Sequence, residues 1–363
     1  MYISVSEPVF KCVAECCPVK GSRRSIIYDL PRNTYDFIPN TLYDILTNCD
    51  GSTLEEVKNV YEDRAIISDY FDFLLGKEYI FLCKQDDLMS FPPLELTWEH
   101  PSLINSAVVS LNSETNYDLT TAFRSLDRLG CRHIFIRVEE VQDFDYYQTL
   151  LRHFSKSTYL SVEIEAPYIA SFSISTLKDL LKEHPRLRAF ICRGAPDTLF
   201  IPSPHLGFGM IAWITEHAGH NDQILNFREY FNVNIPLYTE AQYHNVYFNR
   251  KVFIDSEGFI CNSPVAGNRF GHLSKDTLID VLDRPGFKRY WNISKDKIEI
   301  CRDCEFRYMC MDNRSPVQDA AGNWSHSSEC EYNPYLALWK GEAGYAPVEN
   351  QVTRKKRKIE GQP

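Results

Sequence analysis

The sequence predicts an α/β protein of three parts, and three observations predict it. Strands alternate with amphipathic helical patterns through the middle of the chain. A hairpin followed by three helical patterns stands near the N-terminus, and cysteines crowd a loop-rich stretch near the other end. With 363 residues the chain has room for two or three domains. Apolar residues make up 44% and charged residues 24%, the balance of an ordinary globular protein.

The first segment is residues 1–92. Ser25–Leu30 and Thr34–Ile38 read as two strands around a turn at Pro31-Arg32-Asn33. Leu42, Ile45 and Leu46 share one helical face. Leu54, Val57 and Val60 share the next, opened by Ser52 or Thr53 as N-cap with Glu55 and Glu56 in the first turn. Ile66, Ile67, Tyr70, Phe71 and Leu74 make a third, which Gly76 ends. Tyr79–Leu82 then reads as a returning strand, and Pro92-Pro93 as a linker.

Residues 93–240 alternate. Strands are expected at Ala107–Leu111, around Ile134–Val138, at Leu160–Ile164 and at Leu187–Cys192. Helical faces lie between them at Leu119–Leu129, Val141–Phe154 and Ile174–Leu181. This order predicts βαβ units on a parallel sheet. A complete eight-unit barrel needs about 250 residues, so a partial barrel or an open sheet is the expectation. Residues 241–345 begin with a hairpin, Asn245–Ile254 and Phe259–Asn262 around Ser256-Glu257-Gly258, followed by a short helix at Leu278–Leu282. The remainder is loop, which suits a small domain tied together by metal.

Charge and hydropathy narrow the function classes. The net charge of −10 disfavours nucleic acid as the main partner. The basic run Arg354–Lys358 reads as part of a solvated, disordered tail at 346–363. No apolar stretch approaches the ~20 residues of a membrane helix, and MYISVSEPVF lacks a charged start followed by an apolar core. A cytoplasmic location is therefore expected, with no membrane partner. Structural disulfides are rare there, so the clustering among the 12 cysteines asks for another explanation.

Cys301 and Cys304 form a C-x2-C pair. Cys310 follows, and Cys330 lies further on. A tight loop can aim the first two sulfurs at one centre, and the other two can complete a four-thiolate set. Such a set suits zinc or an iron–sulfur cluster, and spacing alone leaves both open.

The run from Cys301 to Arg314, CRDCEFRYMCMDNR, resembles the SPASM domain found at the C-terminus of many radical S-adenosylmethionine (SAM) enzymes that modify peptides. The resemblance implies one auxiliary 4Fe–4S cluster held by Cys301, Cys304, Cys310 and Cys330. Full SPASM domains hold a second cluster. Here Asn313 and Arg314 stand where a further cysteine would be expected, and Cys261 alone remains near the hairpin, so the second cluster is expected to be absent and Cys261 to be a buried thiol. His244 is a weaker alternative ligand. His244–Asn249, Tyr290–Asp296, Glu329–Tyr335 and Cys17–Gly21 further resemble the SPASM-domain peptide maturases of grasp-with-spasm systems. The hairpin and Asp50–Glu56 resemble a PqqD-like leader-recognition domain, a winged-helix-like fold. These likenesses imply two partners: the leader of a ribosomal precursor peptide and an ATP-grasp ligase.

A radical SAM enzyme carries C-x3-C-x2-C after its first barrel strand. Here Asn112–Asp118 follows Ala107–Leu111 with no cysteine. Cys12-x3-Cys16 repeats the first spacing, but Val19 occupies the third position. The middle segment is thus expected to be a degenerate radical SAM-type βα barrel that binds no SAM. Cys17, Cys49, Cys83, Cys131 and Cys192 read as packed thiols. Glu216, His217 and His220 form a weak metal-like group, better read as a helix end or loop. The leading expectation is a peptide-handling maturation component. A redox-active peptide-modifying enzyme and a structural zinc protein are the alternatives.

Overall fold

Caps and side-chain alternation decide where the elements begin and how they face. The structure, a computed structural model, describes residues 7–202, 209–215, 231–264 and 268–348. It is a mixed α/β protein that divides into two compact units, each assembled from separated stretches. One takes the described residues of Met1–Trp98, Leu225–Val246 and Ile293–Pro363. The other takes those of Glu99–Ile224 and Tyr247–Asn292.

The first unit opens with β1 (Val9–Cys12) and β2 (Cys16–Lys20), two strands beyond the expected hairpin of β3 (Ser25–Asp29) and β4 (Thr34–Ile38). β2, β3 and β4 make a three-stranded antiparallel sheet in that order. Pro18 fits because β2 is an end strand, where a missing N–H leaves no gap in the ladder. Helices α1 (Asn40–Asn48), α2 (Leu54–Val60) and α3 (Arg64–Gly76) follow. Thr53 and Glu56 form a reciprocal capping box that starts α2, and Asp63 caps α3. The returning strand β5 (Ile80–Cys83) pairs antiparallel with β1. Phe10, Ile27, Ile45, Val57, Phe71 and Leu74 share the core of this part.

The second unit is built on a nine-stranded sheet. Strands β6 (Ser106–Leu111), β7 (His133–Val138), β8 (Ser161–Pro167) and β9 (Leu187–Arg193) are parallel neighbours in chain order. Helices α4 (Leu119–Arg128), α5 (Phe144–Arg152) and α6 (Ile174–Glu183) link them, capped by Asp118, Asp143 and Ser173. Right-handed crossovers that always step the same way put every helix on one face. Val109, Ile136, Ile164 and Phe190 accordingly share a core with Phe123, Tyr147 and Leu177. The opposite face carries charge. Glu165 is buried and accepts from Arg137 Nε at 3.1 Å and Arg193 Nε at 2.8 Å.

β10 (Leu199–Pro202) and β11 (Met210–Ile214) extend one edge, with β11 parallel to β9. The chain then enters the first unit as α7 (Ile235–Tyr243) and returns for the hairpin of β12 (Lys251–Ile254) and β13 (Phe259–Cys261). β12 pairs parallel with β6, so this hairpin continues the sheet, and β14 (Arg269–His272) ends it. The short helix α8 (Leu278–Leu282) packs into the same core. The compact units therefore cut across the segments 93–240 and 241–345 that chain order suggested. The physical reason is that β12 completes its backbone hydrogen bonding on the exposed edge of β6. No described helix is long and apolar enough to cross a membrane.

Candidate metal centre

The cysteine run is seated on the β2–β3–β4 sheet. The Tyr28 hydroxyl donates to the Glu305 carbonyl at 2.5 Å, Ser22 N to Asp303 O at 2.7 Å, and Arg307 to Lys20 O at 2.6 Å. Glu305 itself is buried; its Oε1 accepts from Arg24 Nε at 2.8 Å and from the Tyr332 hydroxyl at 2.5 Å. Cys301–Asp303 is a single 3-10 turn closed by Cys304 N donating to Cys301 O at 3.0 Å, which sets both sulfurs of the C-x2-C pair on one loop. Ile300, just before it, has φ +71°, a conformation that costs a β-branched residue about 1–3 kcal/mol and persists where the surroundings enforce it. Phe306 and Met309 are buried in the core with Val19, Ile26 and Tyr28, and this anchors the spacer that leads to Cys310.

Two small hairpins bring in the last cysteine. β15 (Pro316–Gln318) and β16 (Trp324–His326) pair antiparallel, as do β17 (Tyr332–Asn333) and β18 (Leu338–Trp339). Cys330 lies between the two pairs, and Tyr332 N reaches its sulfur at 3.4 Å.

Cys301, Cys304, Cys310 and Cys330 all line one cavity of about 40 Å³. That exceeds the roughly 10–15 Å³ a single water requires. All four are free thiols. Burial pushes the Cys301 thiol up to about 11 and Cys310 to about 12, although Lys295 pulls both down; burial and then Glu305 hold Cys304 well above the usual thiol range. Each of these three also feels the charge of other members of the four.

Beside the thiols lies a buried ion cluster. Asp312 is fully buried; its Oδ2 sits 2.8 Å from Lys295 Nζ, 2.6 Å from an Arg314 terminal nitrogen and 3.0 Å from His326 Nε2. Burial alone would raise the Asp312 carboxyl, but Arg314, His326 and Lys295 hold it well below the usual carboxylate range. Burial, reinforced by Arg314 and Lys295, pushes His326 down to about 4 against the pull of Asp312. One buried carboxylate thus faces two buried cations, Lys295 and Arg314, and both cations line the thiol cavity.

Cys301, Asp312 and His326 place three ligand-type atoms within 4.8 Å of one another, the one such group among the described residues. A metal ion there would share Asp312 with two fixed cations, an arrangement Coulomb repulsion opposes. No three of the four cysteine sulfurs lie that close together. Tetrahedral zinc, with Zn–S of about 2.3 Å, requires sulfurs about 3.8 Å apart.

The remaining candidates lie elsewhere. Cys261 is buried in β13, its thiol 3.7 Å from Phe259 O and pushed up to about 12 by burial. His244 caps the end of α7, its ring 5.1 Å from Trp98, and does not line the cavity. Cys12 stands on β1 and Cys16 and Cys17 on β2, none of them lining it. Cys131 and Cys192 are core thiols of the second unit, while Cys49 and Cys83 are half-buried. Glu216, His217, His220 and Arg354–Lys358 lie outside the described residues. No protein-family model matches the chain, and no curated protein matches it.

Proposed function

We propose that the chain is an iron–sulfur component of a ribosomal peptide maturation pathway of the grasp-with-spasm kind, which binds a precursor leader and works beside an ATP-grasp ligase in the cytoplasm. One 4Fe–4S cluster would be held by Cys301, Cys304, Cys310 and Cys330. The observation that carries this reading is the convergence of those four thiols on one cavity that two buried cations, Lys295 and Arg314, also line. Four thiolates around a cluster bring net negative charge, which buried cations beside it would offset. A bound cluster would supply redox capacity and a crosslink among loops that have little core of their own. With four protein thiolates available, no iron site needs to be left open for substrate, so a structural role is favoured over direct substrate ligation.

Peptide handling rests on the resemblance and is supported by the N-terminal sheet. β4 is an end strand, and its Phe37 is half-exposed at 43%. An extended leader could add as a strand there, since an open strand edge offers backbone donors and acceptors. In the same reading residues 93–240 are a degenerate radical SAM-type barrel segment without SAM, and residues 241–345 are a SPASM domain, of which 293–345 lie in the unit that holds the four thiols.

Anaerobic reconstitution with iron and sulfide tests the cluster. The expected product is brown and holds four irons and four sulfides per chain. A colourless protein that retains zinc instead would overturn the iron–sulfur reading. Binding of a fluorescent precursor leader tests the partner. No binding to the reconstituted protein, with or without the ligase, would remove the peptide-handling role.

A further inference from the structure

Lys295 is the least expected residue beside the thiols. It is 3% exposed, and a lysine is rarely enclosed so completely unless it is paired. Its one carboxylate partner is Asp312, at 2.8 Å. Asp312 is already engaged by Arg314, whose Nε lies 2.9 Å from Oδ1 and whose terminal nitrogen lies 2.6 Å from Oδ2. Lys295 is therefore a second buried cation on a carboxylate that Arg314 already engages. It also lines the cavity together with Cys301, Cys304, Cys310 and Cys330.

We propose that Lys295 is a positioning and tuning residue for the thiolate-held cluster, its fixed positive charge raising the cluster's reduction potential, with Asp312 opposing it. This rests on the iron–sulfur reading above. The physical argument is Coulombic. Reduction adds an electron to an already anionic cluster, and a buried cation at short range stabilises the reduced form more than the oxidised one. Water cannot screen the interaction, because Lys295 and Asp312 are both buried. Asp312 carries the opposite charge in the same place, so removing it should act in the opposite direction.

The test compares reconstituted wild type with Lys295→Met and Asp312→Asn. Each is first assayed for iron and sulfide, and its midpoint potential is then read by dye-mediated titration followed by electron paramagnetic resonance. Lys295→Met keeps the side-chain length and leaves Asp312 paired with Arg314, so it should fold and retain the cluster. At a fixed poise its reduced-to-oxidised ratio should fall at least tenfold, a downward shift of 59 mV for a one-electron couple. Asp312→Asn should move the potential upward. General disruption of the site would shift both variants the same way, so shifts of like sign overturn the proposal, as does an unmoved potential in Lys295→Met with full iron content. If one variant loses its cluster, the sign of the other decides. Failure of the wild type to take up iron and sulfide refutes the iron–sulfur reading itself, a result distinct from failure of the charge assignment.

Discussion

Among single side chains, tolerance is smallest where the N-terminal strands meet the cysteine run. A Cβ on Gly21 would stand 2.5 Å from Arg24 O and 2.9 Å from the Cβ of Glu305, so either strand or loop would have to move. Gly21→Ala should cost about 1–3 kcal/mol, read as a lower urea midpoint with an unchanged slope. Replacing any one of Cys301, Cys304, Cys310 or Cys330 by Ala should abolish stoichiometric iron binding, while Cys261→Ala should leave the iron content unchanged. Iron analysis after reconstitution checks both. The four thiols were legible in the sequence because their spacing is a chemical requirement. Their neighbours were not. Lys295 and His326 are separated by 31 positions, and a buried charged residue runs against the pattern by which sequence reveals burial. Asp312 and Arg314 were visible only as residues inside a cysteine-rich run, with nothing to say that they face each other.

Helices and strands were easier to read where local chemistry is explicit. Thr53, Asp63, Asp118, Asp143, Ser173, Asn234 and Thr277 all cap helices through their side chains. Thr53→Ala should cost about 1 kcal/mol, measured by chemical denaturation, because it removes the side-chain acceptor of the Glu56 N–H from the capping box. β1 and β2 escaped the sequence reading because cysteines and Pro18 break their alternation, and their pairing comes from distant partners in β5 and β3. Val60, Val141 and Leu160 fit the apolar patterns yet are exposed, since each falls at or just beyond the end of its element. Strands β6 and β7 were plain because their buried faces alternate without interruption, whereas β8 breaks the alternation at Glu165 and β9 at Ala189–Phe190. The charged face behind them was less so. Glu165→Gln would leave Arg137 and Arg193 facing a neutral amide, and should destabilise the sheet by about 3 kcal/mol, seen as a lowered melting temperature.

For the molecule as a whole, the division into two units was only partly legible. Hairpin β12–β13 reads locally as the start of a C-terminal domain, but strand β6 claims it. The cysteine run reads as its own module, but Tyr28, Arg24 and Gly21 claim that. Because the four thiols belong to one unit and the nine-stranded sheet to the other, metal loading should act unevenly. Scanning calorimetry of the reconstituted protein should resolve two transitions. Chelation under reducing conditions should lower the transition of the unit that holds the thiols and leave the other within a degree or two. A uniform shift of both would mean that the units melt as one.

The chain passes between its two units four times. During synthesis, strands β2, β3 and β4 leave the ribosome long before the residues that seat against them. Tyr28 finds its carbonyl partner 277 positions later. The apolar side of that early sheet must therefore stay uncovered while the parallel sheet is being made, a stage at which partly built domains are prone to aggregate. Cys330 emerges last of the four thiols, so a cluster can be fully ligated only when nearly all of the described chain is out. Acquisition of the metal would then be the closing step of biogenesis, and cells starved of iron should accumulate this protein as a protease-sensitive form whose N-terminal strands are cut first.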